Sequence, residues 1–206
     1  MTLDGVVYMF TKFGRVCPWR RTSREGRIIM IKIGKLPAAA LTLCVLLLGM
    51  IVRPGDAAAV KEGEAFPHFA GVDLNGVAVD TKAFTKKLLL IDFWSVYCSS
   101  CIQEMPHIVN LYTKYKDQGL QCVGIDLDPM MPAAKVRKFL EGQSFPMPYP
   151  NVQDSKRQIM GLLGVSMLPT TILVDPAGTV KLFHVGYKPG FEKELEEIVV
   201  KLLPVK

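Results

Sequence analysis

The feature that most constrains the fold is a continuous apolar run, Leu88–Trp94, interrupted by a single acid, Asp92. A run of this length and character is typical of a β-strand buried on both faces of a sheet. Two cysteines, Cys98 and Cys101, follow after a short loop and are separated by two serines. Apolar residues then recur at helical spacing: Ile102, Met105, Ile108, Val109 and Tyr112. The cysteine pair is therefore predicted to lie where a buried strand gives way to a helix.

The rest of the pattern predicts further strands and helices, in this order: a strand over 120–126, a helix over 133–140, a short helix over 155–163, strands over 170–174 and 180–185, and a helix marked by Phe191, Leu195, Ile198, Val199 and Leu202. An Asp-Pro-Ala-Gly turn at 175–178 indicates that the last two strands form a hairpin. This order predicts an α/β fold, with a central mixed β-sheet flanked by helices on both faces.

Charge is distributed unevenly along the 206 residues. Residues 1–59 hold nine of the 25 Lys and Arg but only three of the 19 Asp and Glu. The formal net charge of +6 therefore belongs to this segment, and residues 60–206 are neutral overall. Because a basic folded surface is the main sign of nucleic-acid binding, no nucleic-acid partner is expected.

The first part of the chain has the composition of an export segment. Lys32 and Lys35 precede an uncharged apolar run, Leu36–Val52, and three alanines end at Ala59. This order predicts either a cleaved signal peptide or an uncleaved membrane anchor over residues 30–59.

The organisation of the whole chain follows from that segment. Residues 1–29 form a basic N-terminal extension, and a translation start at Met30 would leave them unmade. Residues 60–206 are predicted to form the folded domain. Because the basic side of an export segment stays in the cytoplasm, this domain is expected on the extracytoplasmic side of a bacterial inner membrane.

The predicted domain contains three cysteines, Cys98, Cys101 and Cys122. An odd number argues against a scaffold of structural disulfides. Cys122 falls in a predicted buried strand and is expected to be a small core residue. A pair spaced like Cys98 and Cys101 can be half of a zinc site, but no second Cys or His pair accompanies it. No metal and no cofactor are therefore expected.

The predicted position of the pair gives it a chemistry. A cysteine at a helix start meets free backbone N–H groups and the positive end of the helix dipole, which favour thiolate over thiol. Cys98 would then attack a substrate disulfide, and Cys101, one helical turn further on, would resolve the mixed disulfide.

The segment from Asp92 to Cys101 resembles the active-site segment of thioredoxin. The wider resemblance is to the TlpA/ResA-like family of exported thiol–disulfide oxidoreductases, which includes the cytochrome c maturation reductases. It covers residues 62–204. Three other segments carry it: Phe66-Pro67-His68-Phe69, Glu104-Met105-Pro106 and 164–170.

This resemblance implies the thioredoxin fold and a catalytic set made of Cys98, Cys101, Glu104 and Asp92. It implies that Glu104 tunes the buried cysteine and carries its proton. Asp92 occupies the place of the buried acid of thioredoxin. Because an acid inside an apolar strand is costly to ionise, its pKa is expected to rise, which suits proton exchange with Cys101.

The resemblance also implies a substrate-binding set. Pro169 corresponds to a cis-proline that lies against the cysteine pair, and the residue before it is Leu168. Trp94 and Tyr97 complete the set, although Tyr97 replaces the usual tryptophan. The two serines, Ser99 and Ser100, differ from the residues common in this family, so the direction of electron flow stays open.

The partners implied are protein thiols and disulfides, for example those of apocytochrome c, and a membrane electron donor. Membrane contact is expected only through the N-terminal segment, and the protein is expected to be a monomer.

Two other functions remain as alternatives. A copper(I) chaperone could use the pair because soft thiolates select copper(I), but the related chaperones have three residues between their cysteines and a distant histidine ligand. A peroxidase of the peroxiredoxin type needs Ser or Thr three residues before its reactive cysteine, as Ser95 provides. It also needs an upstream proline, and none lies between Lys82 and Trp94.

Overall fold

The computed structural model describes residues 59–203. The predicted extension over 1–29 and all but the last residue of the predicted signal or anchor lie outside these residues. Within the described part, no helix has both the length and the apolar character needed to cross a membrane.

The described residues form a five-stranded sheet, a two-stranded sheet and several helices. In chain order the elements are β1 (Ala70–Val72), β2 (Ala78–Asp80), β3 (Leu88–Trp94), α1 (Ser99–Tyr115), β4 (Leu120–Asp126), α2 (Ala133–Glu141), β5 (Asn151–Gln153), α3 (Gln158–Leu162), β6 (Thr170–Val174), β7 (Val180–Val185) and α4 (Phe191–Leu202). Short 3-10 turns at Thr81–Phe84 and Lys116–Gln118 precede β3 and β4.

The main sheet has the strand order β5-β4-β3-β6-β7. β3 runs parallel to β4, and β4 runs parallel to β5, whereas β6 is antiparallel to both β3 and β7. The sheet is therefore mixed, as predicted. β3 lies at its centre, and the cysteine pair follows the carboxyl end of this strand, at one edge of the sheet.

The central strand packs against helices on both of its faces. Leu88 and Leu90 point into a core formed with α1 and α4. Ile91 and Phe93 point the other way, into a core that includes Ile159 of α3. All seven residues of β3 are buried. Since burying one large aliphatic side chain stabilises a fold by about 1.5–3 kcal/mol, this strand is a major source of stability.

Three short strands were not predicted. β1 and β2 form a small antiparallel hairpin, and β5 adds an edge strand parallel to β4. Each has only three residues, which is too few for an alternating pattern to be recognised.

The helix predicted over 155–163 is shorter in the structure. Asp154 accepts hydrogen bonds from the backbone N–H groups of Gln158 and Met160, both at 2.8 Å, and this interaction fixes the start of α3. Gly164 follows the helix with φ +66°, and a Cβ there would lie 2.0 Å from the Cα of Ala59. Only glycine fits this position without displacing the chain.

Candidate active site

The cysteine pair lies at the N-terminus of α1, as predicted. Cys98 is the N-cap residue, with extended backbone angles, and its Sγ accepts a hydrogen bond from the N–H of Cys101 at 3.2 Å. The Oγ of Ser100 lies 3.4 Å from the same sulfur. The two cysteines form a disulfide with a Cα–Cα distance of 5.2 Å. In the reduced form the Cys101 N–H and the Ser100 hydroxyl would stabilise a Cys98 thiolate, because cysteine thiols at helix N-termini have lowered pKa values.

The two sulfurs differ in access. Cys98 is half-buried, whereas Cys101 is only 2% exposed. Tyr97, immediately before the pair, is 81% exposed and stands beside the accessible cysteine. An incoming sulfur can therefore reach Cys98, and Cys101 can attack only from beneath it.

Glu104 lies one turn beyond Cys101 on α1 and is 1% exposed. Its Oε1 accepts a hydrogen bond from Thr171 Oγ1 at 3.0 Å, while its Oε2 has no partner among the described residues. Burial raises the pKa of Glu104 to about 7, and the bond from Thr171 partly opposes that shift. A carboxyl with this pKa can both take up and release a proton near neutral pH.

Asp92 is the second buried carboxyl, at 2% exposure on the central strand. Burial, and then the charge of Glu104, raise its pKa well above the ordinary value, as predicted for an acid inside an apolar strand. One oxygen, Oδ1, has no hydrogen-bond partner within residues 59–203. Two buried carboxyls that repel each other cannot both be ionised at low cost, so the pair holds a proton at neutral pH.

Cys122 is a buried free thiol on β4, opposite Leu90 of β3. It packs among apolar residues, as expected for a small core residue. Burial, and then the charge of Asp92, raise the pKa of its thiol well above the ordinary value. A thiol in this environment is unreactive, because the nucleophile is the thiolate.

The loop between β3 and the cysteine pair is held by Asp128, a residue that the sequence pattern did not single out. Its Oδ1 accepts a hydrogen bond from Ser95 Oγ at 2.6 Å, and its Oδ2 accepts one from the N–H of Val96 at 2.8 Å. The N–H of Tyr97 in turn donates to Ser95 Oγ at 3.1 Å. The Ser95 hydroxyl is thus used within the loop, which weakens the peroxidase alternative.

The peptide bond between Leu168 and Pro169 is cis, as the resemblance implied. Pro169 is buried immediately before β6, and Leu168 is half-buried. Leu168 packs against the cluster that contains Trp94 and Cys101. The proline loop and the cysteine pair therefore belong to one local structure.

The prediction that Trp94 contacts substrate is wrong for this structure. Its side chain is fully buried, its Nε1 donates a hydrogen bond to Asn151 Oδ1 at 3.1 Å, and its ring stacks on Phe139. Gly124 makes room for this pairing, since a Cβ there would lie 2.0 Å from the same Asn151 oxygen. Trp94 thus supports the floor of the site, and neither Asn151 nor Gly124 was singled out from the sequence.

Comparison with known proteins identifies the family. The model of the AhpC/TSA family matches residues 63–183. The thiol-disulfide oxidoreductase ResA of Halalkalibacterium halodurans is 30% identical over 150 residues, which cover 72% of this chain and 80% of that protein. ResA of Geobacillus kaustophilus is 34% identical over 142 residues, covering 68% and 79% respectively.

The chain belongs to the ResA-like thiol–disulfide oxidoreductases of the AhpC/TSA family. A solved structure supports the same assignment. It is a Chlorobium tepidum protein described as a thiol:disulfide interchange protein DsbE, with a TM-score of 0.65 and 32% identity, and the match covers 71% of this chain and all of that one. The fold is the thioredoxin fold, and the protein is a protein disulfide oxidoreductase with a redox-active cysteine pair.

In the part of the chain that the structure describes, no group of three or more His, Cys, Asp or Glu side chains is placed to hold a metal ion.

Proposed function

We propose that this ResA-like protein is an exported reductase of disulfides in extracytoplasmic proteins, with the cysteines of the haem-attachment site of apocytochrome c as one substrate. The observation that carries the proposal is the accessible Cys98 at a helix N-terminus, backed by a buried Cys101 and two buried carboxyls. Thiol substrates follow from the family. Export follows from the composition of residues 30–59, as a cleaved signal or an anchor, with residues 60–206 as the exported domain.

The reaction transfers two electrons to the substrate. The Cys98 thiolate attacks one sulfur of the substrate disulfide, forms a mixed disulfide and releases the other sulfur as a thiolate, which takes up a proton. Cys101 loses its proton to Glu104 and attacks Cys98 Sγ, which releases the second substrate thiolate and leaves the Cys98–Cys101 disulfide. The released thiolate takes up a proton from water, and Glu104 gives its proton back to water. A membrane donor then supplies two electrons and two protons to restore the dithiol.

The remaining residues have supporting roles in this proposal. Asp92 holds a proton while Glu104 is ionised, because burial and then the charge of Glu104 raise the pKa of Asp92. Tyr97, Leu168 and Pro169 contact the substrate chain beside Cys98. The protein works as a monomer, and any membrane contact is made by the N-terminal segment.

Trapping the mixed disulfide tests this proposal. The Cys101→Ala variant, expressed in the native bacterium, should accumulate disulfide-linked complexes with exported proteins, and the Cys98→Ala/Cys101→Ala variant should accumulate none. A membrane-impermeant thiol reagent should label Cys98 in the Cys101→Ala variant once the outer envelope is permeabilised. Complexes made only with cytoplasmic proteins, or labelling only after lysis, would contradict the proposal.

A further inference from the structure

A groove of about 540 Å³ lies next to the loop that leads into the cysteine pair. At the end nearest Cys98 its lining includes Ser95, Tyr97 and Leu168. Its far walls are the segment that follows β4, which includes Pro129 and Pro132, and the segments that flank α3. The groove is therefore continuous with the surface that any substrate of Cys98 must touch.

Four methionines contribute to the apolar part of the lining: Met130, Met131, Met160 and Met167. Met130 is 93% exposed and Met167 is 62% exposed, and they stand with Tyr97 among the large apolar side chains that the described surface leaves in water. Methionine is unbranched and polarisable, so a surface of this kind accepts apolar side chains of different shapes. Exposed apolar groups gathered around a groove mark an interaction site.

The exposed charged side chains of the lining, which have no ion-pair partner in residues 59–203, are both positive. Lys135 and Arg157 are both exposed, and neither forms an ion pair or a side-chain hydrogen bond with other residues in 59–203. The one acid in the lining, Asp128, is buried and accepts hydrogen bonds from Ser95 and Val96. Since residues 60–206 are neutral overall, this unpaired positive charge is a local feature of the groove.

We propose that this groove selects substrates in which the reactive cysteine lies in an extended segment that also carries an apolar and an acidic side chain. The apolar side chain packs among the methionines, and the acidic one pairs with Lys135 or Arg157. This inference rests on the proposed function, because it assumes that Cys98 reduces protein disulfides. The chain's own N-terminal segment is a poorer occupant, since its net charge of +6 would be repelled by both cations.

Two matched peptides test the proposal. Each carries one cysteine in a mixed disulfide with thionitrobenzoate and the same apolar residues. One has two glutamates beside the cysteine, and the other has two lysines there. The reduced full chain, in non-ionic detergent, attacks the peptide sulfur and expels the coloured thiolate, so the second-order rate constant is read by absorbance. At low salt the acidic peptide should react about tenfold faster, the low end of electrostatic steering, and 0.5 M salt should largely remove the difference.

Charge-reversed variants show where the preference comes from. Lys135→Glu/Arg157→Glu should invert the preference, because the groove becomes acidic. The control, Lys193→Glu/Lys201→Glu, makes the same charge change at exposed residues of α4 that do not line the groove, and it should keep the wild-type preference. All four substitutions are at exposed sites, so folding should survive, and thermal unfolding checks this.

Apolar selection is tested with the Met130→Gln/Met167→Gln variant, which should react several-fold more slowly with both peptides, whereas Val200→Gln on α4 should not.

Equal rates for the two peptides, or the same change in both charge variants, would overturn the groove proposal. Reduction of hydroxyethyl disulfide by the wild-type chain separates the two proposals. If the protein reduces this small neutral disulfide but does not discriminate between the peptides, only the groove proposal fails. If the protein reduces neither hydroxyethyl disulfide nor the peptides, the proposed function fails.

Discussion

Thr171 on β6 donates a hydrogen bond to one oxygen of Glu104 at 3.0 Å, and the other oxygen of Glu104 is buried without a partner in the described structure. This half-satisfied carboxyl lies one helical turn from Cys101, in the region that also contains Asp92. Burial raises the pKa of Glu104 to about 7, although the bond from Thr171 opposes the shift. This carboxyl, one helical turn from Cys101, is the group that the proposed mechanism assigns as acceptor of the Cys101 proton.

The first prediction concerns Glu104→Gln. Below about pH 7 wild-type Glu104 is protonated and cannot accept the Cys101 proton, so resolution should speed up as pH rises through that value. The glutamine variant should lose this inflection and resolve about 100-fold more slowly at pH 8, the usual range for a lost general base. Release of a chromophoric thiol from a mixed disulfide on Cys98, started by a pH jump from acid, measures the rate.

The control for that experiment is Glu194→Gln, an exposed carboxyl on α4. It should retain the wild-type pH profile. A Glu104→Gln profile with an unchanged inflection near pH 7 would show that another group accepts the proton.

The second prediction concerns stability and pH. The pKa of Glu104 rises from 4.5 to about 7 on folding, so the folded state retains a proton that the unfolded state loses over this range. Stability of the oxidised wild type should therefore fall as pH rises from about 4.5 to 7, by on the order of 3 kcal/mol at most. Urea unfolding at pH 5 and pH 8 measures the free energy of unfolding of both proteins. The stability of Glu104→Gln relative to the wild type should be greater at pH 8 than at pH 5. A stability difference that is equal at both pH values would contradict the pKa assignment.

The third prediction concerns the loop before the cysteine pair. Asp128→Ala removes the acceptor of two short hydrogen bonds, from Ser95 and Val96, and should cost about 2–3 kcal/mol. The same change should slow attack by Cys98, since the loop that carries Tyr97 loses its support. Asp80→Ala, which removes an exposed carboxylate that accepts from Lys82 N–H, should cost about 1 kcal/mol and leave the rate unchanged. Equal effects of the two substitutions would refute a special role for Asp128.

The fourth prediction separates the two aromatic residues of the site. Trp94→Phe leaves Asn151 Oδ1 without its buried donor and should cost about 1–3 kcal/mol, with little effect on the rate of peptide reduction. Tyr97→Ala should change stability by about 0.5 kcal/mol or less, because the side chain is exposed. It should nevertheless slow peptide reduction roughly tenfold through lost substrate contact. Urea unfolding and kcat/KM, measured on both variants, check this. A slower Trp94→Phe enzyme beside an unaffected Tyr97→Ala enzyme would reverse the two roles.

The long elements could be predicted because their patterns are long. β3, β4 and the β6–β7 hairpin are found at the predicted residues, since each has a continuous apolar run or a strong turn. The buried state of Asp92 also followed from its place inside an apolar strand. The three-residue strands could not be found, because their pairing depends on neighbours that are distant in sequence.

The errors at the site arose from the same kind of distant contact. The resemblance to the family implies that Trp94 touches substrate. In the structure its side chain is buried instead and donates to Asn151 on β5, a partner that the sequence did not reveal. Asp128 was missed because it follows β4, and only the parallel pairing of β3 with β4 brings it to the loop before Cys98. The groove depends on a third such contact, between the segments after β4 and around α3.

The reduction potential of the Cys98–Cys101 pair tests the central claim most directly. The full chain would be equilibrated with glutathione or dithiol redox buffers, and the disulfide would be quantified by thiol trapping. We predict a reversible disulfide with a potential at or below about −250 mV, in the range of thioredoxin, as a reductase fed by a membrane donor requires. A potential of about −120 mV would make the protein an oxidant and contradict the proposed role as a reductase. Failure to form a reversible disulfide would exclude redox exchange altogether, and copper(I) binding by the pair would then be tested.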